Sequence, residues 1–278
     1  MNGIIDWNQA WNDTYLKSIQ NRPNGDCASV WKERKSAESF LEQSERNPER
    51  IQRVIQGLPI TSGSSVLDIG SGPGTLAVPL AGLVDHVTAV EPSDGMVEVM
   101  EEYAQRRLAS NINILKKRWE DVDVEADLGR KYDIVTACYS LGVPDINAAI
   151  KSMCMASSGS CHIFWFAGAT DWERIQTDLW PILHQDSYTP GPKADIIYNA
   201  LYSMGIYPDV KSYGITSVRN FDSVDSAVHE LKERYGANSE LKENLLKNYL
   251  LNNKTGKDGG VEIGGTTNHV HFSWNVRR

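Results

Sequence analysis

The stretch Val66-Leu67-Asp68-Ile69-Gly70-Ser71-Gly72-Pro73-Gly74-Thr75-Leu76 constrains this chain more than any other. Apolar residues around one acid lead into three glycines at alternate positions, and a run of small and apolar residues continues to Leu83. The pattern predicts a strand, a tight turn and the start of a helix. Glycine lets the chain turn sharply and lets a ligand touch bare backbone. A helix start presents N–H groups with no partner inside the helix. The stretch therefore predicts a ligand site at the end of a buried strand.

The surrounding pattern fixes what that strand belongs to. Strands are expected at 66–69, 86–91, 112–115, 132–137 and 161–166. Helices are expected at 75–83, from a Ser93 cap to about 109, and from Asp145 with Ile146, Ala149, Ile150 and Met153 inward. The stretch 161–166 is apolar almost throughout, as suits a strand buried on both faces. Such alternation implies α/β architecture with a doubly wound, parallel sheet. Ligands on these sheets lie beyond the carboxyl ends of the strands, at the switch point.

Ahead of residue 65 there is no strand signal. Trp7, Trp11 and Tyr15 recur every four residues as one helical stripe. A break is expected at 21–25. A second helix is expected from near Asp26, carrying Val30, Trp31, Phe40 and Leu41. A third, opened by Asn47-Pro48, carries Ile51, Val54 and Ile55. Residues 1–60 are thus expected to be an N-terminal helical cap or lid, and 61–278 the sheet domain. Beyond 166, a helix at 171–184 interrupted by Pro181 and another at 193–204 suggest an insertion over about 168–205. A strand at 207–215, helices at about 223–235 and 239–251, a turn at 257–260 and a last strand at 269–276 complete the expectation.

A net charge of −8 argues against a nucleic-acid partner, because such binders carry a basic face, and Lys116-Lys117-Arg118 is too short to form one. Cys27, Cys138, Cys154 and Cys161 contain no C-x-x-C pair, so no zinc or redox motif is visible and a reducing, cytoplasmic setting is expected. No apolar run has the length to span a bilayer, so no membrane partner is expected.

Two cofactor classes use a strand–glycine turn–helix unit. A dinucleotide site shows G-x-G-x-x-G, with the pyrophosphate on the helix N-terminus. Here the spacing is Gly70-x-Gly72-x-Gly74, and Asp68 stands two residues before the first glycine. An acid there sits badly with a pyrophosphate and suits an ammonium group. The D-x-G-x-G-x-G pattern resembles motif I of the class I S-adenosylmethionine-dependent methyltransferases. Glu91-Pro92-Ser93-x-x-Met96, Lys117-Arg118-Trp119-Glu120-Asp121 and Lys131-Tyr132-Asp133-Ile134-Val135 resemble that family's later motifs, and the likeness covers about 65–166. The resemblance implies a mainly parallel seven-stranded, Rossmann-like methyltransferase fold. It also implies a site for S-adenosylmethionine built from Asp68, Gly70, Ser71, Gly72, Gly74, Glu91, Pro92, Ser93, Met96, Trp119, Glu120 and Cys138. Glu91 would accept from the two ribose hydroxyls, and Met96 would lie against the adenine. Arg118 departs from the family, many of whose members carry an adenine-accepting Asp at that place.

The implied reaction is methyl transfer to an O, N, S or C acceptor. The acceptor wall is expected at Cys138-Tyr139-Ser140-Leu141-Gly142, which lacks the [N/D]-P-P-[Y/F/W] motif of many amide- and base-nitrogen methylating members. Tyr139 is read either as a substrate contact or as core, His184 as a base or a surface histidine, and Trp165 as pocket wall or packing. His269 and His271 alternate on the last strand without a third ligand, so no metal is expected. A small-molecule acceptor is the leading expectation. A protein side chain, a nicotinamide-dependent oxidoreductase and a cofactor-binding protein without transfer activity remain alternatives.

Overall fold

The computed structural model describes residues 5–20, 33–253 and 260–276. The expected break at 21–25, Cys27, Val30, Trp31 and residues 257–259 of the expected turn lie outside the described residues.

Seven strands form one mixed sheet: β1 (Ser65–Ile69), β2 (His86–Val90), β3 (Ile112–Leu115), β4 (Tyr132–Cys138), β5 (Ser157–Phe166), β6 (Asp209–Phe221) and β7 (Val261–Asn275). Their order is β3-β2-β1-β4-β5-β7-β6. The first five are parallel, and β7 runs antiparallel between β5 and β6. This is the Rossmann-like architecture that the alternating pattern implies. The strand order reverses between β1 and β4, so the glycine turn that leaves β1 opens at the switch point.

Helices cover both faces. α1 (Trp7–Gln20), α6 (Ile146–Ala156) and α8 (Ala194–Ser203) pack together on one of them. There Trp11, Ile146, Ile150 and Ile197 meet Leu67, Ile69, Val135, Ile163 and Phe272. α2 (Arg34–Arg46), α3 (Glu49–Gly57), α4 (Ala77–Ala81) and α5 (Asp94–Arg106) cover the other, where Leu41, Val54, Leu80 and Met100 meet Val66, Val87, Ile134 and Phe164. The two sets of strand residues alternate along each strand, the period-2 signature of a sheet buried on both sides. A third cluster joins α7 (Asp171–His184), α9 (Val224–Leu231) and α10 (Glu240–Asn253) to Val261 and Ile263 of β7.

Several boundaries differ from the sequence expectation, each for a physical reason. The helix after the glycine turn is only Ala77–Ala81, because the turn itself occupies residues up to Leu76. α7 runs through Pro181 without interruption, opened by a Thr170–Glu173 capping box and closed at left-handed Gln185. β6 and β7 form a longer hairpin than 207–215 and 269–276 suggest. Its outer half pairs Thr216 with Thr266 and passes Gly264 directly against the Ser217 carbonyl. That half lacks the apolar alternation by which a strand is read.

The N-terminal helices are part of this packing. Trp11 is fully buried and its indole N–H donates to the Val143 carbonyl at 2.7 Å. Its ring lies 5.7 Å from that of Trp165, which is itself buried and donates to the Pro192 carbonyl. Trp165 is therefore core. Replacing Trp11 by Phe keeps an apolar ring but leaves the buried Val143 carbonyl unpaired, which costs about 1–3 kcal/mol. Urea denaturation of Trp11→Phe is expected to show that loss, and an unchanged midpoint would show that the carbonyl finds another partner.

Candidate cofactor and acceptor site

The glycine turn is held by backbone. Gly70 and Ser71 N–H groups both donate to the Val90 carbonyl, at 2.8 and 3.1 Å, and Gly74 N–H donates to the Ser71 carbonyl. Gly72 N–H donates to Glu91 Oε2 at 2.9 Å. Four N–H groups of the turn, those of Gly70, Ser71, Gly72 and Gly74, are thus engaged within the protein. Gly70, Gly72 and Gly74 all have positive φ, of 67°, 55° and 80°. At Gly70 a Cβ would run into Ser140, and at Gly74 into Met100 and Val78. Gly72 stands open, with only the Met96 sulfur near. Ser71 Oγ donates back to the Asp68 carbonyl at 2.8 Å.

Two acids flank this turn. Asp68 is buried on β1, and burial, reinforced by the nearby Glu91 charge, pushes its carboxyl up to about 7. Glu91 follows β2 and is also buried, which raises its carboxyl. Its Oε1 accepts from Ser93 N–H at 2.9 Å, so each oxygen holds one backbone donor, and the Ser93 side chain bonds the same carboxylate. Ser93 is the N-cap of α5, Pro92 is half-buried, and Met96 is buried beneath Gly72. The structure brings these residues together around the glycine turn.

The remaining expected cofactor contacts divide. Trp119 is buried and spends its indole N–H on the Ala149 carbonyl at 3.1 Å, so its ring belongs to the core beneath the site. Glu120 is half exposed, 3.7 Å from the Arg118 guanidinium. Cys138, at the end of β4, has its thiol pushed up to about 12 by burial. His184 sits elsewhere. It stacks on Trp180 at 4.0 Å and bridges the Tyr235 carbonyl (3.0 Å) and Lys242 Nζ (3.2 Å), tying α7 to α10. Both ring nitrogens are occupied there, so His184 is a structural strut rather than a base.

Tyr139 lies at the mouth. It is a non-glycine residue with φ of 58°, a strained backbone of the kind that functional sites retain. Its amide donates to the Phe164 carbonyl, and Ser140 Oγ donates to the Ile69 carbonyl, which joins this loop to the glycine turn. The Tyr139 hydroxyl is 2.7 Å from His269 Nδ1 and 3.4 Å from the Tyr213 hydroxyl. Its ring stacks on Phe166 at 4.8 Å, and the Arg50 guanidinium lies over it at 5.4 Å. Arg50, Phe166, Trp172 and Tyr213 escape sequence reading, because each belongs to a different element and none sits in a motif.

Behind this cluster, His162 Nδ1 meets His271 Nε2 at 3.0 Å, and Ser160 Oγ meets His162 Nε2 at 2.9 Å. Among the described residues no group of three or more His, Cys, Asp or Glu is arranged to hold a metal. Among them, too, no helix is long and apolar enough to cross a membrane. An open groove of about 500 Å³ lies away from the site, between Tyr198, Val210 and Phe272.

Comparison with known proteins agrees with this geometry. Residues 66–156 match the family model described as Methyltransferase domain. Over these residues the chain carries a methyltransferase domain of the class I S-adenosylmethionine-dependent kind, and S-adenosylmethionine is the cofactor of that family. An uncharacterized protein of Haemophilus influenzae is 33% identical over 103 residues, which are 37% of this chain and 37% of that one. A ubiquinone biosynthesis O-methyltransferase of Coxiella burnetii is 31% identical over 107 residues, or 38% of this chain and 44% of that one. The matched stretch thus spans less than half the length of these curated relatives. The YcgJ protein of Bacillus subtilis shares the fold, with a TM-score of 0.57 at 15% identity, covering 84% of this chain and all of that one.

Two pH dependences follow. With Asp68 titrating near 7, a ligand amino group meets a carboxylate at pH 8 and mostly a carboxylic acid at pH 6. Affinity for S-adenosylhomocysteine, measured by calorimetry, is expected to rise about tenfold from pH 6 to 8. In Asp68→Asn it is expected to be weak and flat. An equal slope in both proteins would assign the titration to another group.

Burial holds His162 down to about 3, and His269 and His271 to about 4. These rings are neutral when folded, whereas the unfolded chain protonates them near 6.5. Their contribution to stability is therefore complete above pH 6.5 and is lost as pH falls from 6.5 toward 4, by at most about 3 kcal/mol per ring. Denaturant midpoints over that window should fall less steeply in His271→Gln, and an identical slope would contradict the assignment.

Proposed function

We propose that the protein is a methyltransferase that moves a methyl group from S-adenosylmethionine, by in-line displacement, to an O, N, S or C atom of a small molecule held beside Tyr139. One observation carries this reading. Two buried carboxyl groups, Asp68 and Glu91, end adjacent strands under a turn whose glycine N–H groups are already bonded. Such a cradle presents acids rather than its glycine donors, which suits an amino group and a vicinal diol better than a pyrophosphate. It favours this cofactor over a nicotinamide dinucleotide. The Coxiella burnetii relative, by its name an O-methyltransferase of ubiquinone biosynthesis, supports a small-molecule acceptor.

In this reading Asp68, Gly70, Ser71, Gly72 and Gly74 hold the amino acid part, and Glu91 holds the ribose. Pro92, Ser93 and Met96 line the adenine side, with Glu120 and the backbone at Trp119 at its edge and Cys138 below. The bound cofactor supplies an activated methyl carbon. The protein's own contribution is to hold the acceptor close and aligned. His269, neutral at physiological pH and 2.7 Å from the Tyr139 hydroxyl, can also take a proton. An acceptor proton passes to Tyr139 Oη as Tyr139 gives its own to His269 Nδ1. Residues 1–60 serve as a brace and cover. α1 holds the loop after β4 through Trp11 and Val143, and α3 carries Arg50 to its mouth.

Glu91→Ala is expected to weaken S-adenosylhomocysteine binding by about 1–3 kcal/mol, as when buried hydroxyls lose a charged acceptor. Unchanged affinity would place the ribose elsewhere. Methyl-labelled cofactor incubated with protein and cell extract should yield a labelled small molecule. A labelled protein would make a side chain the acceptor, and no labelled product of any size would favour a cofactor-binding role without transfer.

A further inference from the structure

The acceptor side of the site has its own chemistry. Arg50 projects from α3, the helix that packs Ile51 and Val54 into the core. Its guanidinium lies between the Phe40 and Tyr139 rings, with its central carbon 5.6 and 5.4 Å from their centroids. It is half-buried, and among the described residues it has no carboxylate or carbonyl partner. Its neighbour Glu49 pairs instead with exposed Arg53, at 2.9 Å. A guanidinium stacked between aromatic faces keeps its in-plane N–H donors available to an anion.

Further planar groups adjoin the Tyr139 ring. Tyr139 stacks on Phe166, and Trp172 meets Phe166 edge-on at 5.1 Å. Tyr213 lies parallel to His269, with ring centroids 5.6 Å apart and planes 7° apart. Arg50 also bears electrostatically on Cys138, Tyr139, Tyr213 and His269. The cation thus reaches the end of β4 and the β6–β7 hairpin. A planar guanidinium binds a carboxylate through two parallel hydrogen bonds while stacking on a ring.

Resting on the methyltransferase reading above, we infer that the methyl acceptor is an aromatic acid. Its ring lies against the aromatic cluster of Tyr139, Phe166, Trp172 and Tyr213, and its carboxylate is paired with Arg50. The uncharged amide of the same compound fits the rings but not the cation. Pairing also removes the Arg50 charge that disfavours protonation of His269, so the bound acid prepares the residue proposed to take the acceptor proton.

The test is calorimetric. The full chain, saturated with S-adenosylhomocysteine, is titrated with 3-hydroxybenzoate, 4-hydroxyphenylacetate and indole-3-acetate, and with the amide of each. At least one acid is expected to bind at least tenfold more tightly than its amide. Arg50→Gln should abolish that difference, and Arg50→Lys should keep part of it, because the charge remains without the fork. S-Adenosylhomocysteine affinity should stay within twofold in both variants. If no acid outbinds its amide, the inference falls. It also falls if Arg50→Gln weakens S-adenosylhomocysteine tenfold, since the guanidinium would then serve the cofactor's carboxylate. Failure of wild-type protein to bind S-adenosylhomocysteine would strike the methyltransferase reading instead. The acid–amide comparison run without it would still judge the pocket.

Discussion

The site depends on a short set of hydrogen bonds between the glycine turn and the end of β2. Gly70 and Ser71 give their N–H groups to Val90, and Gly72 gives its own to Glu91. These bonds require the turn to fold back over the neighbouring strand with three positive-φ residues, so glycine at 70, 72 and 74 is a geometric demand. The same bonds orient the Glu91 carboxylate and occupy the N–H groups of the three glycines. In the proposed reading, a motif that elsewhere cradles phosphate serves hydroxyls and a cation.

Burial then sets the electrostatics. Asp68 and Glu91 share one dry corner, and burial, reinforced by the Glu91 charge, keeps Asp68 partly protonated near neutrality. A bound amino group relieves this cost by supplying the missing charge, so the pocket is arranged for a cation before one arrives. The proposed acceptor side carries a guanidinium set between two aromatic rings, with no carboxylate partner among the described residues. In the proposed reading, two adjacent subsites of opposite charge give each bound molecule its own place and orientation. Holding two reactants in register is the part of an in-line transfer that a protein can supply.

Much of this was legible in the sequence because it is local. The strand, the alternate glycines, Asp68 and Glu91 fall within two consecutive strand–turn units, where spacing alone carries the geometry. Trp119 shows the limit. Its place after β3 is right, but the side chain turns inward, since an indole N–H can reach the Ala149 carbonyl and the ring fills the core beside α6. His184 fails for a related reason. Its helix was recognisable, but its neighbours Tyr235 and Lys242 follow some fifty residues later, and no periodicity links them.

The acceptor subsite is assembled from α3, the loop after β4, the end of β5, the start of α7 and the β6–β7 hairpin. Each element contributes one or two residues: Arg50, Tyr139, Phe166, Trp172, and Tyr213 with His269. On its own element each looks ordinary; Arg50 lies on the polar face of an amphipathic helix and Tyr213 on an edge strand. Their convergence follows from topology. Antiparallel insertion of β7 between β5 and β6 carries His269 and Tyr213 back to the carboxyl edge where Tyr139 emerges. The cofactor half can be read from a motif because one strand–turn–helix unit builds most of it. The acceptor half requires the whole sheet, which is why related sheets with the same glycine turn can present different acceptor surfaces.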